Sequence, residues 1–140
     1  MAVYSDKINL STKGFSDVHD ITPRLQGILT GSGLQEGICC VILAGSTGGI
    51  TTIEYEPGLL KDLAELLEKI LPSNRSYHHD AAWGDGNGFS HLRSALIGAS
   101  ASIPFSSCKL ILGTWQQVVF IDFDNRPRNR TLHVQLVGEK

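Results

Sequence analysis

A chain of 140 residues, 41% of them hydrophobic, has the length of one domain and enough apolar content to bury a real core. Its formal net charge of −2 excludes the basic footprint of a nucleic-acid binder or of a protein that coats anionic membranes. No apolar run reaches the roughly 20 residues of a membrane span, and the first residues lack the charged-then-apolar pattern of a secretory signal. A cytoplasmic location and a single domain over 1–140 are therefore expected. The charged share of 19% is below the ~25% typical of soluble domains, which fits surface hidden between copies of the chain.

Taken in order, Val3 to Leu10 alternates loosely and suits an edge or interface strand. Thr22-Pro23 reads as an N-cap with proline at the first helical position, opening a helix that stops at Gly31-Ser32-Gly33. Gly37 to Ala44 is a continuous apolar run whose length predicts a strand buried on both faces. Cys39 and Cys40 lie within it, and with Cys108 they show no CxxC spacing. They read as small buried hydrophobes in a reducing compartment. The next turn, Gly45-Ser46-Thr47-Gly48-Gly49, is either a hairpin turn or a nest of backbone donors for an anion. It lacks the GK[ST] ending of a Walker P-loop.

Pro57-Gly58 opens the clearest helix, with Leu59, Leu63, Leu66, Leu67 and Ile70 on one stripe predicted to face the core. After Pro72 comes a long polar loop, of a kind that is uncommon in compact domains and usually functional. A third helix begins near Gly88, with Ser90 as its expected N-cap and His91 in its first turn. There the helix dipole favours a neutral, ligand-competent imidazole. The remainder is strand-like over 100–105, 109–114, 116–124 and 130–137, with a turn at 125–128. Arg126, Arg128 and Arg130 near that turn are candidates to grip a phosphate.

The loop from Tyr77 to Arg93 carries the most chemistry. It holds His78, His79, His91, Asp80, Asp85 and Asn87 beside Gly84, Gly86 and Gly88. Glycines let a loop fold tightly around a ligand, and imidazole nitrogens with carboxylate oxygens suit a metal or a proton-transfer role. Polar solvation around ordinary DG and NG turns is the plain alternative.

GSTGGITTIEYEPG, YHHD, DGNGFSHLRSALIGAS and LGTWQQVVFIDFDNRPR together resemble the YjbQ-like family along nearly the whole chain. The resemblance implies an α+β fold, a pseudobarrel of mixed β-sheets flanked by two or three helices, assembled as a homotrimer. It also implies a secondary thiamine-phosphate synthase activity, as assigned to some members. Positions matching the family's polar motifs are Thr47, Glu54, His79, Asp85, Asn87, His91, Trp115 and Gln116. Gly45 and Phe89 stand where many members carry histidine, which leaves His79 and His91 as the imidazole pair.

Three functions follow as expectations. In the first, a transferase couples small phosphorylated metabolites and expels pyrophosphate. Asp85 and Asn87 offer oxygens to Mg²⁺, Arg93 and the Gly45–Gly49 amides receive phosphate, and His79 or His91 moves a proton. In the second, His79, His91 and Asp85 hold a transition metal such as zinc in a hydrolase. In the third, a non-catalytic trimer binds a metabolite or anion. Gln116 is expected to point into the pocket of His91, and Trp115, as part of the same strand, to wall that pocket or a neighbouring subunit.

Overall fold

The computed structural model describes residues 1–140. Eight strands and four helices alternate along the chain. They are β1 (Ala2–Thr12), β2 (Asp17–Asp20), α1 (Thr22–Ser32), β3 (Glu36–Leu43), β4 (Gly48–Ile53), α2 (Pro57–Ile70), α3 (His78–Trp83), α4 (Gly88–Ile97), β5 (Ser100–Ser106), β6 (Lys109–Leu110), β7 (Gln117–Asp122) and β8 (Arg128–Glu139). No helix is long and apolar enough to cross a membrane.

Two curled sheets face each other, one ordered β1-β8-β3-β5-β6 and the other β2-β7-β4. Every pairing is antiparallel, so the fold is α+β as expected but its sheets are not mixed. Side chains alternate across a strand, and Cys39, Val41 and Leu43 of β3 join Leu132, Val134 and Leu136 of β8 in the core between the sheets. Burial pushes the Cys39 thiol up to about 11, so it is an inert core group. From the second sheet β7 contributes Val118 and Phe120 to this core, and Leu25 and Leu29 of α1 plug one side.

The apolar run of β3 is not buried on both faces. Ile38 and Ile42 point outward and remain 52% and 44% exposed, beside Lys7, His133 and Val137 on a groove of about 670 Å³. The strand buried throughout is β7, whose other face packs Val119 and Ile121, with Phe123 just beyond, against Leu67 of α2. The α2 stripe is only partly used. Leu67 is buried, but Leu66 and Ile70 are 52% and 49% exposed. Glu56 caps that helix by accepting from the backbone of Gly58 and Leu59.

Local expectations shift for identifiable reasons. Thr22 is not the N-cap of α1; its hydroxyl accepts from Val118 N and donates to Val118 O, tying the helix start to β7. Gly45–Gly49 is no hairpin turn, because β3 pairs with β8 and β5 while β4 pairs with β7, so the segment crosses between sheets. Its glycines answer to packing. A Cβ at Gly48 would lie 2.7 Å from Leu43 and Phe120 side-chain atoms, and one at Gly49 would lie 2.9 Å from Ile97 and Phe123. None of the three has a positive φ. The strand expected over 109–114 shrinks to two residues. The long polar loop contains α3, too short to betray itself by periodicity.

Gly37 sits opposite Gly138 where β3 meets β8, at φ +156°, and a Cβ there would run into the Val137 carbonyl and the Phe105 ring. Gly37→Ala is expected to lower stability by about 1–3 kcal/mol through overpacking, read as an earlier urea midpoint at unchanged slope.

Candidate functional site

The polar loop folds back on itself through a capping arrangement. Asp80 accepts from its own helix cap, Tyr77 N, at 3.0 Å and from Gly88 N at the start of α4 at 2.8 Å. One carboxylate thereby fixes both the entry of α3 and its distance from α4. These backbone donors, first that of Gly88, hold the Asp80 carboxyl below its usual range. Gly84 and Gly86, at φ +70° and +65°, supply the left-handed turns between the helices.

The result brings His79 of α3 and His91 of α4 together, ring centroids 4.3 Å apart and tilted by 40°. Asp85 Oδ1 lies 3.6 Å from His79 Nδ1, and Asp80 Oδ1 lies 4.0 Å from it. His79, Asp80 and Asp85 each offer one ligand atom within 4.8 Å of the others. His79 Nδ1 is buried without a hydrogen-bond partner, and so is Oδ1 of Asn87. Buried polar atoms are nearly always satisfied, so these two open positions on the α3–α4 segment fit a group that supplies a cation or a hydrogen-bond partner. The donor set of imidazole nitrogens and carboxylate oxygen suits a divalent transition metal. Of the two aspartates, Asp85 is the freer ligand, because both Asp80 oxygens already accept backbone N–H groups.

His91 has its pKa lowered, first by burial and then by the neighbouring His79, against a weaker pull from Asp124 and Asp85. The expected neutral imidazole is thus obtained, but from desolvation and a second histidine. Asn87, not Ser90, is the N-cap of α4, and Ser90 Oγ donates to Asn87 O.

The other residues singled out from the sequence divide into two groups. Thr47 and Arg93 are already engaged by internal partners. Thr47 Oγ1 donates to Asp124 at 3.2 Å and accepts from Arg130 at 2.6 Å. Arg93 is 2% exposed; it donates to Glu68, to Leu71 O and to Ser16, and stacks 4.9 Å from the Phe89 ring. It is a strut between α4, α2 and the β1–β2 turn, so it cannot receive phosphate. Arg128 and Arg130 are likewise consumed, by Asp124 and Asp122. Glu54, Trp115 and Gln116 sit at the far end of β7. Trp115 is 73% exposed in a turn rather than a strand, and with Glu54 and Tyr55 it borders a groove of about 400 Å³. Gln116 does not point toward His91. Its amide accepts from Gly113 N and donates to Thr52, and the six residues of β7, about 20 Å at ~3.3 Å each, separate it from the histidine end.

Sequence reasoning missed Asp122 and Asp124. Both are buried, at 0% and 1% exposure. Burial alone would raise their pKa values. Arg130, Thr12 and the Asp124 backbone N–H outweigh it for Asp122, and the Asn125 N–H, Asn87 and Arg128 do so for Asp124, so both carboxyls stay low and ionised. The available signal was two acids in an apolar run, FIDFD, followed within eight residues by arginines at 128 and 130.

Fold and site together define a small α+β protein of two facing antiparallel sheets, with a histidine–carboxylate cluster where α3 and α4 meet. Residues 6–139 match the family described as UPF0047 protein YjbQ-like, and the chain belongs to that family. A UPF0047 protein of Methanothermobacter thermautotrophicus is 38% identical over 99% of this chain and 95% of its own. The crystal structure of a YbjQ-like protein of unknown function from Sulfolobus solfataricus superposes with a TM-score of 0.93 at 33% identity, covering 99% of both chains. A YjbQ/UPF0047 protein from Clostridium acetobutylicum gives 0.87 at 32% identity, over 94% of this chain and 99% of its own.

The lowered His91 pKa gives a sign to the acid limb of stability. Between its folded value and the ordinary 6.5 the unfolded chain binds more protons, so stability falls as pH drops below about 6.5. His91→Gln is expected to flatten the fall of melting temperature as pH drops below about 6.5, measured by thermal unfolding in the metal-free state.

Proposed function

We propose that the chain is a divalent-metal-dependent hydrolase acting on a small metabolite, with His79, His91 and Asp85 as metal ligands. The observation that supports it is the pair of adjacent imidazoles with a carboxylate oxygen 3.6 Å from a buried, unpartnered His79 Nδ1. A bound divalent ion would supply Lewis-acid polarisation and water activation. The chain's own contribution is to keep His91 neutral, to hold α3 against α4 through Asp80, and to leave the Asp85 carboxylate uncommitted at the solvent side as a ligand. A phosphorylated substrate would meet the ion, since Arg93, Arg128 and Arg130 are taken by internal partners and only the exposed Arg126 of the candidate arginines is left. The same fact weighs against the thiamine-phosphate synthase reading, which needs cations for a departing pyrophosphate. The free thiols, Cys39, Cys40 and Cys108, suit the reducing cytoplasm in which we place the protein.

Metal analysis of purified protein before and after chelation, followed by zinc titration, tests the reading. His79→Ala and His91→Ala are expected to abolish binding while shifting stability by under about 1 kcal/mol, as for partly exposed side chains. Wild-type protein that takes up no metal would overturn it.

We propose in addition the homotrimer that the family resemblance implies, with the outer face of the β1-β8-β3-β5-β6 sheet as its buried surface. Outward Ile38, Ile42, Val137 and Val3 support this, because stretches of exposed apolar sheet usually mark contacts. Light scattering is expected to give three times the monomer mass, and Ile38→Glu with Ile42→Glu to give monomers. A monomer in the unmodified protein would reject the assembly.

A further inference from the structure

Asn87 is the N-cap of α4, where an asparagine oxygen ordinarily accepts an N–H from the first turn; here its side chain makes no such bond. The residue is 8% exposed and Oδ1 has no partner at all, while Nδ2 donates to Asp124 Oδ1 at 3.3 Å. Asp124 can only accept. Its other bonds come from the Asn125 N–H at 2.8 Å, Thr47 at 3.2 Å and Arg128, all donors to a carboxylate. That partner dictates which way the amide faces: NH₂ toward Asp124, oxygen away from it. Asn87 caps the helix that carries His91, its carbonyl accepts the His91 N–H at 3.4 Å, and Asp124, the partner of its amide, also acts on His91 electrostatically.

We infer that Asp124 is a positioning residue, which turns Asn87 so that Oδ1 serves the histidine site as a further oxygen ligand for its cation. The inference rests on the metal-site reading above and extends it one shell inward, to a carboxylate that touches no ligand. Asp124 itself is held by the arginine and threonine network at the end of β7, so the amide orientation is fixed by the barrel rather than by the loop. In Asp124→Asn, Arg128 and Thr47 hold the remaining oxygen, and the new NH₂ stands against both the Asn125 N–H and Asn87 Nδ2, of which only the Asn87 side chain can turn away. Asn87 then gains by reversing, and a donor replaces the acceptor in the site.

The test is titration of metal-free full-length protein with Co²⁺, following the visible bands of the bound ion and fitting Kd. Asn87→Ala and Asp124→Asn are each expected to raise Kd about 10–100-fold, the usual cost of disturbing a metal's supporting shell. The double variant is expected to bind no more weakly than the weaker single, because both changes act on one oxygen. An unchanged Kd in Asp124→Asn, or losses that simply add, overturns the positioning role while the metal site stands. No Co²⁺ uptake by wild type instead removes the metal reading itself, and this inference with it. Should Asp124→Asn fail to fold, Asn87→Asp carries the test. Its added carboxyl faces Asp124 and is protonated until an ion displaces the proton. Calorimetry in two buffers of different ionisation heat is expected to show about one extra proton released on Co²⁺ binding. No extra proton would show that position 87 does not face the ion.

Discussion

The ion pair between Asp122 and Arg130 joins the two sheets, and much of the rest depends on it. Arg130 of β8 donates to both Asp122 oxygens, at 2.7 and 2.9 Å, and Thr12 of β1 adds a third bond at 2.6 Å. Asp122 thus stitches β7 to two strands of the opposite sheet at the one end where the barrel meets α3 and α4. A fully buried pair of this kind costs desolvation that its own attraction roughly repays, so its worth is specificity more than stability. Removing one partner alone would leave a buried charge, so the pair fixes how the two sheets sit against each other at that end.

From that pair the order spreads outward. Arg130 also donates to Thr47, and Thr47 donates to Asp124, which receives Asn87. Arg93 braces α4 against α2 and the β1–β2 turn. Arg93, Arg128 and Arg130 therefore hold the frame and are spent on it, and only Arg126 of the candidates stands exposed. This is why the anion-gripping roles suggested by their spacing give way to a site made of imidazoles and oxygens, and why a cation is the ligand that the site suits.

Much of the frame could be read from residue patterns. Apolar runs and turn signals located most strands, and Pro57 with the leucine stripe located α2. The misreading of β3 has a plain cause: a run of apolar residues does not say which face is covered. GICCVILA looks buried on both sides because Ile38 and Ile42 are as apolar as their inward neighbours, yet only β7 is enclosed throughout. The site was half legible. His79, His91, Asp85 and Asn87 share a single segment, so proximity followed from a short loop with glycines. Asp124 lies 37 positions from Asn87, and only tertiary pairing brings it there. Trp115 and Gln116 were assigned to the site by motif and by their expected place in a strand, yet both are exposed ahead of β7, whose length separates them from the site.

The two histidines belong to parts of the molecule with unequal cohesion. His91 rides on α4, which buries Phe89, Ser90, Arg93 and Ser94, whereas α3 spans six residues and buries none. A helix so short does not persist by itself, and local opening is least costly where burial is least. His79 is therefore delivered by a segment that can detach while the barrel stays intact. A ligand bridging the two rings would act as a clasp, slowing amide exchange along α3 far more than along α4.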